Sequence, residues 1–323
     1  MDGAALDGAG AVAASAWLPA APLLWGGAAV LAVLLAGTLA GVLLRARLPD
    51  VLPRVGSWWA IAVVLAAALA AGPTATTVLF AVVSFVALRE FLSLAPTRRE
   101  DRLVVLAAYL VIPVSYAAIA FDRYGLFLVL VPVWAFLLMP TLMILNGRTA
   151  GFLSSAGILH WGLMIAVYNL GHVAVLSNVA PDEAPAGGAG LVFFLLVATG
   201  LCDVFQYVVG KRFGRRKILP TISPNKTWEG FLGGMALTAL LVVAIGPAFT
   251  PLAPGPLVLL AILLPLTAFA GDVTMSAIKR DLGVKDTSRL IPGHGGALDR
   301  LDSLTFTAPL AFHVIAFFSL ARY

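Results

Sequence analysis

Ten windows of about twenty apolar residues run through this chain of 323 residues, and a helix of that length crosses roughly 30 Å of hydrocarbon. They fall at approximately 22–44, 57–72, 74–94, 103–121, 124–145, 152–178, 189–209, 228–249, 256–278 and 303–320. The second and third are short and divided only by Gly72-Pro73, so the expected count is nine or ten. Only 11% of the residues are charged, against about 25% in a soluble domain, and such a chain cannot make an ordinary aqueous surface. The expected fold class is all-α, a polytopic integral membrane protein. Cys202 is the single cysteine, which removes an intrachain disulfide framework and a cysteine cage for zinc.

The placement of charge sets the orientation. Nineteen of the 21 Lys and Arg residues follow odd-numbered spans, with only Arg123 and Arg322 opposite. The positive-inside rule puts those basic loops in the cytoplasm and both termini outside. No hydrophilic segment is long enough for a separate soluble domain. Residues 1–180 read as a transmembrane scaffold and 181–323 as a catalytic transmembrane region with two cytoplasmic polar loops. A nucleic-acid partner is not expected.

The first polar cluster begins at Asp203 inside span seven and continues through Lys211–Lys217 to Ser223, Asn225, Lys226 and Thr227. The second begins at Asp272 in span nine and passes Ser276, Lys279, Arg280, Lys285 and Asp286 to Gly293-His294-Gly295-Gly296, Asp299, Arg300 and Asp302. An acidic side chain inside a span costs roughly 2.5–3.5 kcal/mol on insertion scales and normally faces a cavity or a partner, which singles out Asp203 and Asp272. Asp272, Ser276 and Lys279 are spaced to share one helical face. Asp299 and Asp302 are three apart and point the same way if helix ten starts near them. With Asp272 and Asp286 they form an oxygen-rich set that suits a hard divalent ion. For Asp302 the competing reading is a first-turn acid or N-cap.

The glycines around His294 let backbone amides approach phosphate oxygens, while the flanking bases neutralise a polyphosphate or an anionic head group. His294 itself suits either a hydrogen bond to phosphate or a purely structural turn. Thr227 also fits an N-cap for span eight. Arg212, Arg215, Arg216 and Arg289 read as basic anchors, and His160, His172 and His313 as packing residues.

These residues resemble a known family. The stretch from Ser276 through Lys279-Arg280, Lys285-Asp286 and Ile291-Pro292-Gly293-His294-Gly295-Gly296-Ala297-Leu298 to Asp299-Arg300-Leu301-Asp302, with the upstream run Ser223 to Gly230, resembles the signature of the phosphatidate cytidylyltransferases. The resemblance covers about residues 200–310. It implies an inner-membrane enzyme that converts CTP and phosphatidic acid from the cytoplasmic leaflet into CDP-diacylglycerol and pyrophosphate in phospholipid biosynthesis. It also implies Mg2+, with K+ as a candidate second ion, and a homodimer as a candidate assembly. The family's metal-binding aspartates correspond to Asp272 and Asp299, and Asp302 joins them in the expected metal set. Lys226, Lys279, Arg280, Lys285, Asp286, His294 and Arg300 are the expected catalytic set. Asp203, Ser223, Asn225, Thr227, Ser276, Gly295 and Gly296 are the expected substrate-binding set. One departure stands out: where the family has small residues near Ala-Asp-Ser-x-Ala-Tyr, this chain reads Cys202-Asp203-Val204-Phe205-Gln206-Tyr207. That leaves open a paralogue acting on an isoprenoid or ether-lipid phosphate. A secondary transporter using Asp203 and Asp272 is the alternative from another class.

Overall fold

The structure, a computed structural model, describes residues 20–44, 51–178, 184–293 and 295–319. Among these, ten helices are long and apolar enough to cross a membrane: α1 (Ala21–Leu43), α2 (Val51–Ala71), α3 (Pro73–Leu94), α4 (Arg102–Ala120), α5 (Tyr124–Ile144), α6 (Phe152–Ser177), α7 (Gly187–Phe213), α8 (Trp228–Phe249), α9 (Pro254–Asp281) and α10 (Leu298–Ser319). The chain is all-α and multi-pass, as expected. Gly72 has a φ of 102°, a conformation open to glycine, and Pro73 begins the next helix. The chain therefore turns between α2 and α3, and the two short windows are separate spans.

The helix ends differ from the apolar windows. Helix α2 starts at Val51, α9 runs on to Asp281, and α10 starts at Leu298. Hydropathy detects only the part matched to hydrocarbon, whereas backbone hydrogen bonding carries a helix on into polar sequence. Asp299 and Asp302 consequently lie within the first two turns of α10, and Asp302 is not its N-cap.

Helix α6 is the most enclosed. Its Leu159, Leu163 and Leu170 are fully buried and belong to one core with Leu88, Phe127, Phe194 and Phe312. It packs on α3, α7 and α10, so helices from before and after residue 180 share that core. By contrast, the apolar window of α2 buries nothing, and α1 buries little. Trp59 Nε1 donates to Thr38 Oγ1 at 3.0 Å and joins this peripheral pair.

One end of the bundle carries the polar loops. There a short antiparallel hairpin, β1 (Lys217–Leu219) and β2 (Ser223–Thr227), pairs Lys217 with Thr227 and Leu219 with Ser223. Thr227 Oγ1 accepts from Gly230 N and caps α8. Glu229 Oε2 accepts the backbone N–H groups of Arg215 and Arg216 at 2.9 and 3.1 Å. These contacts anchor the hairpin at the bundle end and set the exit direction of Lys226.

Candidate active site

Two acidic centres form at this end. The first is built around Asp272 on α9. A Cβ added at the preceding Gly271 would stand 2.6 Å from the Asp302 backbone oxygen, so only glycine lets α9 and α10 approach this closely. Lys226, delivered by β2, pairs with Asp272 Oδ2 at 2.5 Å, each side chain about one-fifth exposed, at 20% and 21%. Its ammonium also donates to Gln206 Oε1 at 3.3 Å and lies 5.6 Å from the Phe269 ring centroid. Gln206 is itself held, since its Nε2 donates to Cys202 Sγ at 3.1 Å. Ser276 Oγ donates to Asp272 Oδ1 at 3.3 Å, and Ser303 Oγ donates to Asp203 Oδ1 at 3.1 Å. Asp302 lies within electrostatic reach of both Asp272 and Asp203. Burial pulls the Lys226 ammonium toward deprotonation, but the charges of Asp272, Asp203 and Asp302 outweigh it, and its pKa is raised above the ordinary lysine value.

The second centre closes the loop between α9 and α10. Asp299 is 5% exposed. Its Oδ1 accepts from Lys279 Nζ at 2.7 Å, and its Oδ2 accepts from the backbone N–H groups of Thr287 and Gly296 at 2.7 and 2.9 Å. Glu90, 6% exposed on α3, faces the same loop. Its Oε1 accepts from Ser288 Oγ and Ala297 N at 2.6 and 3.0 Å, and its Oε2 from Thr287 Oγ1 and Leu298 N at 3.1 and 2.9 Å. The Thr287 hydroxyl reaches both carboxylates, standing 3.0 Å from Asp299 Oδ2. Helix α2 touches the loop from the other side, with Ser57 Oγ donating to Pro292 O at 2.9 Å.

With this geometry in place, comparison with known proteins is informative. The family model described as "Cytidylyltransferase family" matches residues 52–318, most of the chain. The chain belongs to the cytidylyltransferase family. It is 40% identical over 295 residues to the uncharacterized protein YnbB of Escherichia coli (strain K12), covering 90% of this chain and 97% of that protein. It is also 42% identical over 131 residues to the phosphatidate cytidylyltransferase of Mycobacterium leprae (strain TN), and 42% identical over 134 residues to that of Bacillus subtilis (strain 168). Each of these two matches covers 41% of this chain, and respectively 42% and 49% of the relative, so the chain spans about half the length or less of the curated phosphatidate cytidylyltransferases it matches.

This cytidylyltransferase is thus a nucleotidyltransferase with membrane-spanning helices, in a family whose relatives serve lipid biosynthesis. Its two polar stretches meet through Lys226 and Asp272, with Asp203 and Asp302 within electrostatic reach of Lys226. Ser276 is in contact as well. Arg300 is exposed but lies within electrostatic reach of Asp203. Lys285, Asp286 and Asn225 are exposed on the polar face, and Ser223 is half-buried in β2. Arg280 clips the surface together, its guanidinium donating to Ile222 O at 3.4 Å and Val284 O at 3.0 Å. His294 lies outside the described residues.

Two expected roles meet bonds within the protein. Of the loop amides expected to cradle phosphate, Gly296 N serves Asp299, and the next two amides serve Glu90. Glycine at 296 answers to crowding instead, since a Cβ there would stand 2.1 Å from Thr287 Oγ1 and 2.6 Å from Glu90 Oε2. Asp299, expected to bind metal, has both oxygens engaged by the protein, as has Asp272 with one partner on each, while Asp302 lies within electrostatic reach of Asp272 and accepts from Ser303 N on Oδ1. Glu90 itself escaped sequence reasoning, although the signal was present, because an acid inside an apolar span is the same anomaly that singled out Asp203 and Asp272.

The donor chemistry at the first centre fits a hard cation. All its acidic donors are oxygens, and the Lys226 ammonium already stands as a cation against Asp272. Among the described residues no three His, Cys, Asp or Glu side chains form a ready-made metal cage. Magnesium does not need one, because it binds one or two carboxylates together with substrate phosphates.

Proposed function

We propose that this cytidylyltransferase joins CTP to phosphatidic acid, releasing pyrophosphate and leaving CDP-diacylglycerol in a bacterial-type cytoplasmic membrane, with its site on the cytoplasmic face. The observation that carries the reading is the Lys226–Asp272 pair. Two separate polar stretches converge there, at the membrane end where a lipid phosphate lies while its acyl chains stay in hydrocarbon. The basic loops at that end support the orientation.

The phosphate of phosphatidic acid is already ionised, so no strong general base is required. An oxygen of that phosphate attacks the α-phosphorus of CTP, and the bond from this phosphorus to the pyrophosphate oxygen breaks. Bringing two polyanions together is the difficulty, and positioned charge is the remedy. Lys226 and Lys279 hold phosphate oxygens from the membrane side, and Lys285, Arg280 and Arg300 from the aqueous side. Asp203 and Asp286 orient these bases. Asp272 and Asp302 would hold Mg2+, which when bound supplies charge to neutralise and align the phosphates. K+ is the proposed second ion.

Radiolabelled CTP, phosphatidic acid and Mg2+ on the purified protein test the reading. Label should pass into the lipid phase, and Asp272→Asn should slow its transfer at least about 100-fold. Label that stays wholly water-soluble with the wild-type protein overturns the proposal. A second reading, an isoprenoid or ether-lipid phosphate as acceptor, is favoured by Gln206, whose side chain reaches Lys226 at a position where the resembled family has a small residue. Exchanging the lipid in the same assay separates the two.

A further inference from the structure

Glu90 takes no part in the chemistry described so far, yet it is a buried acid in a membrane helix, with four donors gathered on its two oxygens. Its neighbours on α3, Leu88 and Phe91, fasten the helix by apolar packing alone, so retaining an acid between them is costly. All four donors lie in one segment, from Thr287 to Leu298, about 200 residues away in sequence. Two of them are backbone N–H groups at the start of α10, which have no partner within the helix and carry its positive dipole end.

We propose that Glu90 is a positioning residue for cytidylyl transfer: it clamps the loop around Thr287 and Ser288 and the first turn of α10 so that Lys279, held by Asp299, and Lys285 meet the nucleotide's phosphates. Its influence passes through Thr287, whose hydroxyl touches Glu90 and Asp299, and through Asp299 to Lys279. Gly296 sits between the two carboxylates, with no room for a side chain. The base that faces phosphate is thereby located from the other half of the chain. The inference rests on the nucleotidyl-transfer reading above, and its test separates the two.

Glu90→Gln is the incisive change. Whichever way the new amide is turned, its NH2 meets a backbone N–H, that of Ala297 or Leu298. The clamp then opens with side-chain volume preserved. The Michaelis constant for CTP should rise about tenfold and kcat should fall, since small misplacements of aligned groups are costly. Backbone amides across 284–300 should exchange hydrogen faster, as followed by mass spectrometry in detergent. Ser288→Ala removes one donor and should shift the CTP constant two- to threefold in the same direction, and it decides the matter if Glu90→Gln does not fold. A purely structural Glu90 would lower the yield of folded protein and leave that constant unchanged. A CTP constant within the error of wild type in folded Glu90→Gln, or in Ser288→Ala if Glu90→Gln does not fold, overturns the proposal. If the wild-type protein transfers no label to lipid, the proposed function fails, while calorimetric CTP affinity and loop exchange in Glu90→Gln still judge the clamp: weaker binding with faster exchange upholds it, and unchanged values overturn it.

Discussion

The two acidic centres use the same functional group to opposite ends. At the first, Asp272 meets Lys226 and Ser276, the pair is one-fifth exposed, and the carboxylates of Asp203 and Asp302 stand close by. At the second, Glu90 and Asp299 are almost fully buried, and each carboxylate accepts four hydrogen bonds from the protein, against two for Asp272. A buried charge is tolerable when its hydrogen bonds are complete, so the saturated centre behaves as a fastener. A centre with uncommitted lone pairs and a neighbouring ammonium retains capacity for a cation or a phosphate. The number of donors on each carboxylate, more than the presence of acid, distinguishes the two centres.

Three substitutions probe this contrast. Lys226→Met strips the open centre of its cation and should lower kcat/KM for CTP about 100-fold or more, as removal of one preorganised donor does. Because the Lys226 pKa is raised, the stabilisation from its ion pair is fully present below the ordinary lysine value and is lost as pH rises through the elevated one. The difference in unfolding temperature between wild type and Lys226→Met should therefore persist through neutral pH and shrink only in strong alkali. Gly296→Ala attacks the fastener instead. Forcing a methyl against Thr287 and Glu90 should destabilise by about 1–3 kcal/mol, seen as a lower thermal midpoint together with faster loop exchange. Thr227→Ala alters no charge and loosens the cap of α8 beside Lys226, a loss of about 1 kcal/mol with a smaller fall in activity than Lys226→Met. An activity loss from Thr227→Ala as large as that from Lys226→Met would refute the contrast, because the cap would then govern the site as strongly as the charge.

Much of this was legible in the chain. Nine or ten spans followed from apolar length, and the positive φ of Gly72 decides for ten among the described residues. Asp203 and Asp272 were conspicuous as acids in hydrocarbon, and both sit at the open centre. The hairpin that carries Lys226 was not visible, since β2 reads Ser-Pro-Asn-Lys-Thr, without the alternation that marks a strand. The helical extensions at Val51, Asp281 and Leu298 escaped for a related reason, because polar residues past the bilayer carry no hydropathy signal. Glu90 went unassigned because its meaning depends on donors about 200 residues away.

Local chemistry written along the sequence therefore determined that the chain has helices fit to span a membrane and which loops carry the charge. Tertiary structure alone decided which acids keep lone pairs to spare and which are spent on the loop. Asp299 and Asp302 lie three residues apart on one helix, yet the first is enclosed by Lys279, Thr287 and Gly296 while the second lies within electrostatic reach of Asp272 and Asp203. Spacing fixes the direction of a side chain relative to its own helix. What it meets depends on how closely Gly271 lets α9 approach and on whether α3 brings Glu90 to the loop.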